Sequence, residues 1–295
     1  MKYGRVVIVG RPNTGKSTLI NNLLQQKVAI TSHLPQTTRK NMRVVFGGEM
    51  GKLLLSDTPG ILGKVDDVLG KRVNLEVPKE LGRADVVVCL VDISRPKNEE
   101  ENKVIGLVRK SSAKKVLVYN KIDIAKGSKD HLAEYNYLEP EFDRVVAVSA
   151  KNLTHLKSLV SAIFELLPDD DTRGVSQEID ALEQGGGPII SLPSAEFIAE
   201  LIREKAYLFL RDEIPYSVNV KVESITDKKR IIVIKAVIET VAERYKKMII
   251  GKNGQKIKEI GYNARKELEL MSNRKIFLEL RVETNAHWRE LDLAI

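Results

Sequence analysis

Gly10-Arg11-Pro12-Asn13-Thr14-Gly15-Lys16-Ser17 follows the apolar run Val6-Val7-Ile8-Val9 and opens a helical pattern at Lys16. The spacing is GxxxxGK[ST] between a strand and a helix, the context its chemistry requires. Successive backbone N–H groups of the loop and of the helix N-terminus can surround a phosphate, the lysine reaches its β and γ oxygens, and the serine hydroxyl is offered to Mg²⁺. Gly10, Arg11, Pro12, Asn13, Thr14, Gly15, Lys16, Ser17 and Thr18 are therefore read as nucleotide-binding residues.

Outward from this loop, candidate strands lie at Arg5 to Val9, Met42 to Phe46, Lys52 to Ser56, Val86 to Val91, Val116 to Asn120 and Val145 to Val148. Helical spacing runs over Lys16 to Gln26, Asp67 to Leu81, Glu99 to Lys110, His131 to Leu138 and Leu153 to Leu167. The later strands are continuous Val/Leu/Ile runs, as in parallel strands covered on both faces. The alternation predicts a doubly wound α/β domain over 1–168, and the Gly47-Gly48 pair between two short strands predicts a hairpin with one antiparallel edge.

Further segments sit where strands end. In Asn120-Lys121-Ile122-Asp123 the Asp123 carboxylate can accept from both the ring N–H and the exocyclic amino group of guanine, a pair of donors that adenine does not present. Asn120 is expected on the other purine edge and the Lys121 stem over its face. In Ser149-Ala150-Lys151 the Ala150 amide is expected to meet the guanine oxygen. Asp57-Thr58-Pro59-Gly60 is expected to hold Mg²⁺ through Asp57 and to sense the γ-phosphate through the Gly60 amide. In the intervening Pro35-Gln36-Thr37-Thr38-Arg39, Thr38 is expected to complete a metal shell with Ser17 and Asp57. Lys16, Asn13, Thr38 and Gly60 are the candidate catalytic residues.

The 295 residues include one cysteine, Cys89, which excludes a disulfide scaffold, and no apolar run is long enough for a membrane span. The N-terminal Met1 to Arg5 passes directly into a strand pattern, so a soluble protein of a reducing compartment is expected. The net charge of +8 divides into +9 over 1–168, −5 over 169–194 and +4 over 195–295. Pro168, Asp169-Asp170-Asp171 and Gly185-Gly186-Gly187-Pro188 read as an acidic Gly/Pro linker over 169–193 rather than as a further element. From 194 to 295 the pattern is helix, strand, strand, helix, GxxG, helix, strand, the order of an α+β type II KH fold. Its Gly251-Lys252-Asn253-Gly254 lies in the stretch Arg244 to Lys266, which holds eight Lys/Arg and one acid. The glycines let backbone approach a single nucleic-acid strand. Lys246, Lys247, Ile250, Gly251, Lys252, Asn253, Gly254, Lys256 and Lys258 are the candidate RNA-binding residues.

The motifs in this order, with GRPNxGKS and QTTR in the first half and Asp212-Glu213-Ile214-Pro215-Tyr216-Ser217 and Gly251 to Gly254 in the second, resemble the Era family of translation-factor-related GTPases over nearly the whole chain. The resemblance implies a P-loop GTPase domain joined to a KH domain and a slow conversion of GTP to GDP with Mg²⁺. It implies single-stranded RNA as partner, at the 3′ end of small-subunit (16S) ribosomal RNA, in assembly of the small ribosomal subunit. It further implies a cytoplasmic monomer, with peripheral association at the inner membrane face. Relatives with Asn at the position of Asn13 can use K⁺ beside the phosphates. Where Ras-like enzymes carry a water-orienting Gln, this chain has Ile61, so positioning by Mg²⁺, Lys16 and loop amides must carry most of the rate. The competing classes are a catalytically idle nucleotide-dependent RNA adaptor, against which the intact Lys16, Ser17 and Asp57 argue, and a membrane-surface GTPase, which the missing aromatic-apolar face disfavours.

Overall fold

The computed structural model describes residues 1–26, 42–60, 77–125, 131–171, 174–184 and 195–288. It divides into two compact units, Met1–Gly185 and Gly186–Ile295.

The first unit is a six-stranded sheet built from β1 (Lys2–Val9), β2 (Met42–Gly48), β3 (Gly51–Asp57), β4 (Val86–Asp92), β5 (Lys114–Asn120) and β6 (Arg144–Ala147). Their spatial order is β2-β3-β1-β4-β5-β6, with β2 antiparallel and the other pairings parallel. The helices are α1 (Lys16–Leu24), α2 (described over 77–83), α3 (Glu99–Lys110), α4 (Leu156–Leu166) and α5 (Val175–Gln184).

The continuous apolar runs are explained by the cores on the two sheet faces. Val6 and Ile8 of β1, Val86, Val88 and Leu90 of β4 and Val116 and Val118 of β5 join Leu19 and Ile20 of α1 and Leu159 and Ile163 of α4. Their neighbours Val7, Val9, Val87, Cys89, Val91 and Leu117 turn to the other face and meet Val77 and Leu81 of α2 and Val104 and Val108 of α3. Burial holds the Cys89 thiol protonated, well above its ordinary pKa, as an inert core group. Helix α3 starts where Asn98 accepts from the Glu101 amide, with Glu99, Glu100 and Glu101 in the first turn and Arg109 and Lys110 in the last, matching the helix dipole at both ends.

Four expectations change. The hairpin turn is Glu49-Met50, because Gly48 pairs with Gly51 and the Gly47-Gly48 pair lies inside β2. The expected helix from His131 to Leu138 is a pair of short 3₁₀ segments, Leu132–Glu134 and Asn136–Glu141. Pro140 cannot donate there, and Tyr135 and Leu138 reach the core at a spacing of three. Helix α4 begins at Leu156 instead of Leu153, since Leu153 and His155 take left-handed φ of 60° and 58° around the Ser149–Thr154 bridge. The segment read as linker contains α5, whose Val175, Ile179 and Leu182, spaced at one helical face, pack on Leu54, Val45 and Tyr3. Asp171, read as linker charge, accepts from the Val175 and Ser176 amides at 2.8 Å and caps this helix. Glu178 pairs with Arg5 and with Arg43, and Glu183 with Lys52 at 2.9 Å. The acids of the "linker" thus neutralise cations of β1, β2 and β3. Most of the expected helix from Asp67, and the segments holding Thr38 and Ile61, lie outside the described residues.

The second unit contains α6 (Ala195–Phe209), β7 (Val218–Lys228), β8 (Ile231–Thr240), α7 (Glu243–Ile250), α8 (Gln255–Ser272) and β9 (Lys275–Thr284). The sheet order is β7-β8-β9, antiparallel then parallel. Ile260, Ala264 and Leu268 form one stripe of α8 and meet Ile198, Leu201 and Ile202 of α6 and Ile232, Ile234 and Ile238 of β8. Tyr207 and Tyr216 pack edge to face at 5.9 Å. No helix among the described residues is long and apolar enough to cross a membrane.

If α5 is a packed part of the first unit, Ile179→Ala should destabilise that unit by about 2 kcal/mol, the low end for a buried Ile→Ala change. Denaturant unfolding followed by circular dichroism measures it; an unchanged transition would return residues 175–184 to a linker role.

Candidate functional site

Four loops of the first unit named from sequence and lying among the described residues leave the same rim, the carboxyl ends of parallel strands, where such sheets place ligands. β1 delivers Gly10 to Ser17, β3 delivers Asp57 to Gly60, β5 delivers Asn120 to Asp123, and Ser149-Ala150-Lys151 follows β6.

In the phosphate loop the Lys16 ammonium donates to the Gly10 and Arg11 carbonyls, both at 3.0 Å, and Thr14 Oγ1 donates to the Arg11 carbonyl at 3.1 Å. Burial lowers the Lys16 pKa to about 8, although Asp57 and Glu101 pull it upward. Ser17 Oγ donates to Asp57 Oδ2 at 2.8 Å, while Asp57 Oδ1 is buried without a hydrogen-bond partner. Burial pushes the Asp57 carboxyl up to about 6, against the pull of Lys16 and Ser17. An orphaned buried carboxylate oxygen beside a serine hydroxyl is a donor set that suits Mg²⁺, an oxygen-seeking cation. Gly60 lies so close to the phosphate loop that a Cβ there would come within 2.8 Å of the Pro12 backbone, so only glycine allows this approach. Thr58 Oγ1 donates to the Ile8 carbonyl at 2.7 Å and anchors the same turn.

The base loop is held from two sides. Ser149 Oγ donates to Asp123 Oδ1 at 2.6 Å and orients the carboxylate. Lys121, at φ 69°, donates to the Asn13 carbonyl at 2.8 Å and to Asp92 Oδ2 at 2.7 Å.

Three residues make protein contacts that the sequence reading did not assign to them. Asn120 is buried and bridges two loops, donating to the Thr14 carbonyl at 2.7 Å and accepting from the Ala150 amide at 2.9 Å. It therefore splints the phosphate loop to the base loop, and the Ala150 amide is engaged by Asn120. The Arg11 side chain turns away from the loop into the core, where it pairs with Glu101 at 2.7 Å and donates to the Pro96 carbonyl at 3.0 Å. Pro12, Asn13, Gly15, Pro59 and Lys151 lie on the loops where the motifs place them, and Thr18 lies in the first turn of α1.

Sequence reading missed Asp92, Arg95, Glu101 and Tyr135. Asp92, at the end of β4, is buried and engages Lys121 and Arg95, each at 2.7 Å. Burial alone would raise its pKa, but hydrogen bonds from Lys121 and Ser94 hold it below the usual carboxylate range. Tyr135 donates to Glu101 at 3.1 Å behind Arg11. The available signal was Asp92 itself, an acid ending a buried strand as Asp57 does.

In the second unit Gly251 to Gly254 joins α7 to α8. Gly251 and Gly254 take φ of 72° and 73°, Asn253 takes 52°, and a Cβ on Gly251 would collide with Lys256. Lys247, Lys252, Asn253 and Lys258 are exposed and Lys246 half-buried. Lys256 differs from expectation: its ammonium donates to the Phe209 carbonyl at 2.8 Å and caps α6. Ile249 and Ile260 are core, whereas Ile250 and Ile257 are half-buried at its margin.

The sheet, its phosphate and base loops and the appended unit define a P-loop GTPase with a C-terminal KH domain. A family model described as 50S ribosome-binding GTPase matches residues 5–121, and one for the KH domain matches residues 213–289. The chain is 37% identical to GTPase Era of Carboxydothermus hydrogenoformans, over 100% of this chain and 96% of that protein. It is 36% identical to GTPase Era of Pseudomonas aeruginosa, over 100% and 93%. Among solved structures it resembles, at TM-score 0.86 and 34% identity, an Aquifex aeolicus Era variant bound to GDP·AlF4⁻, over 98% of this chain and 96% of that one. It resembles equally, over 98% and 95%, an Era in complex with MgGDPNP and nucleotides 1506–1542 of 16S ribosomal RNA. The chain belongs to the GTPase Era family.

The raised Asp57 pKa has a stability consequence. A carboxyl with a folded pKa of about 6 and an ordinary value of 3.8 binds its proton more tightly in the folded chain. Its contribution therefore favours folding at low pH and is lost as pH rises from about 4 to about 6. In nucleotide-free and metal-free protein, the unfolding free energy of Asp57→Asn relative to wild type should rise by about 3 kcal/mol across that window and then level off. Denaturant titrations at a series of pH values test this, and a flat difference would show that the carboxyl is not held in so unfavourable an environment.

Proposed function

We propose that this GTPase binds GTP or GDP with Mg²⁺ in the first unit and single-stranded RNA in the second. We assign the RNA to the 3′ end of small-subunit 16S ribosomal RNA and the task to small-subunit assembly, carried out by a cytoplasmic monomer.

In the nucleotide site, amides of Gly10 to Thr18 receive the phosphates with Lys16, and Ser17, Thr38 and Asp57 serve the metal. Bound Mg²⁺ supplies positive charge where the β and γ oxygens become more negative. Asp123, oriented by Ser149, accepts from the two guanine donors, and Asn120 sets the distance between base and phosphate loops. The Gly60 amide reports the γ-phosphate. With Ile61 unable to orient water, turnover is slow and rests on electrostatic positioning. Asn13 helps to seat K⁺ beside the phosphates, so hydrolysis in KCl should exceed that in NaCl and Asn13→Ala should erase the difference. Equal rates of the wild type in the two salts would remove K⁺ from the proposal.

The observation that carries the RNA assignment is the Gly251 to Gly254 loop, with positive φ at both glycines, its tip exposed at Lys252 and Asn253 and flanked by exposed Lys247 and Lys258. Backbone can approach a phosphate strand there without a Cβ in the way. Changing Lys252 and Asn253 to Asp keeps the glycines and places carboxylates against the RNA. Affinity for a short single strand with the 16S 3′ sequence, read by fluorescence anisotropy, should fall at least about tenfold, or ~1.4 kcal/mol. The salt dependence should become shallower by about 0.7 in slope for each phosphate that is no longer neutralised. Basal GTP turnover should hardly move. Unaltered RNA affinity would mean that the loop is a helix connection and that RNA binds elsewhere.

A further inference from the structure

We propose that Arg95 is a positioning residue of the phosphate loop, aiming the Asn13 amide by holding the Pro12 carbonyl. The inference rests on GTP hydrolysis by this chain and concerns a residue outside its recognised motifs.

Each carbonyl from Gly10 to Thr14 accepts a hydrogen bond from a side chain. Lys16 holds Gly10 and Arg11 at 3.0 Å, Arg95 Nη2 holds Pro12 at 2.7 Å, Lys121 holds Asn13 at 2.8 Å and Asn120 holds Thr14 at 2.7 Å. A trans peptide is planar, so a fixed carbonyl turns the next residue's N–H the opposite way. The Pro12 carbonyl and the Asn13 amide share one such unit. Pro12 itself has no N–H, so this stretch of loop has one donor fewer and the Asn13 peptide carries more of the load. Without a donor at the Pro12 carbonyl the unit could rotate and present oxygen, in place of N–H, to a triphosphate.

Arg95 is itself fixed. Its Nε pairs at 2.7 Å with Asp92 Oδ2, the oxygen that also holds Lys121. Asp92 Oδ1 accepts from Ser94 Oγ at 2.6 Å and from the Ser94 amide at 3.1 Å. One buried carboxylate therefore aims two cations at two successive carbonyls. The planar guanidinium can pair with Asp92 through Nε while donating through Nη2, a fork that an ammonium lacks.

Many contacts share the binding of GDP, whereas charge on the phosphate oxygens grows in the transition state. A misaimed amide should therefore cost turnover more than affinity. The test compares wild type, Arg95→Ala and Arg95→Lys in single-turnover GTP hydrolysis, fluorescent GDP binding and thermal melting. Expected for Arg95→Ala is a roughly tenfold slower step with GDP affinity within about threefold and an unchanged melting temperature. Arg95→Lys, whose ammonium can still donate to the Pro12 carbonyl but lacks the fork that ties it to Asp92, should recover in part, to a rate between those of the alanine variant and wild type. Turnover of Arg95→Ala within twofold of wild type overturns the proposal. So does a loss of affinity or melting temperature in step with turnover, or a lysine variant as slow as the alanine one. A wild type that does not hydrolyse GTP would instead defeat the underlying activity.

Discussion

A planar peptide cannot point its carbonyl and its N–H the same way, and the nucleotide site is built around that constraint. Anion binding needs the loop amides turned inward, which leaves the loop carbonyls facing protein. Buried carbonyls need donors, and each one from Gly10 to Thr14 has one: Lys16 from α1, Arg95 from the turn after β4, Lys121 and Asn120 from the end of β5. Loop orientation is thus a property of α1 and of the ends of β4 and β5 rather than of the loop alone.

The parallel sheet makes this convergence possible. Order β2-β3-β1-β4-β5-β6 places β1 between β3 and β4, with β5 next, so Asp57, the Gly10 to Ser17 loop, Asp92 and the Asn120 to Asp123 loop emerge side by side. The cost is concentrated there. Lys16 and Asp57 are both buried, with pKa values displaced to about 8 and about 6, so near neutral pH each carries a charge its surroundings resist. Charged phosphate and Mg²⁺ would relieve both, which explains why such groups are kept buried at this rim.

Legibility in the sequence followed the range of the interaction. Val/Leu/Ile runs of β4 and β5 showed a two-faced sheet directly, because period and composition are local. The loops were legible since their chemistry is confined to a few consecutive residues. What stayed hidden depends on partners far along the chain: Arg95 on Pro12, Asn120 on Thr14, Arg11 on Glu101 and Lys256 on Phe209. Asn120, Arg11 and Lys256 were read only for a ligand and Arg95 for nothing, whereas folding also gives their polar groups to backbone or to a buried ion pair. Helix α5 was obscured by its flanks, since the Asp169 to Asp171 and Gly185 to Gly187 runs suggested a linker while Val175, Ile179 and Leu182 carried the helical face between them. The 3₁₀ segments around Tyr135 failed for a different reason, since spacings of three and four are hard to separate over eight residues.

The central claim is that the phosphate loop is aimed by its neighbours before nucleotide arrives. Crystal structures of the chain free of nucleotide and bound to GDP test it most directly. The account predicts that the carbonyls of Gly10 to Thr14 keep their hydrogen bonds with Lys16, Arg95, Lys121 and Asn120 in both, with loop Cα positions agreeing within about 1 Å. A nucleotide-free loop with any of these carbonyls turned toward the phosphate position, and flipped only on binding, would contradict it.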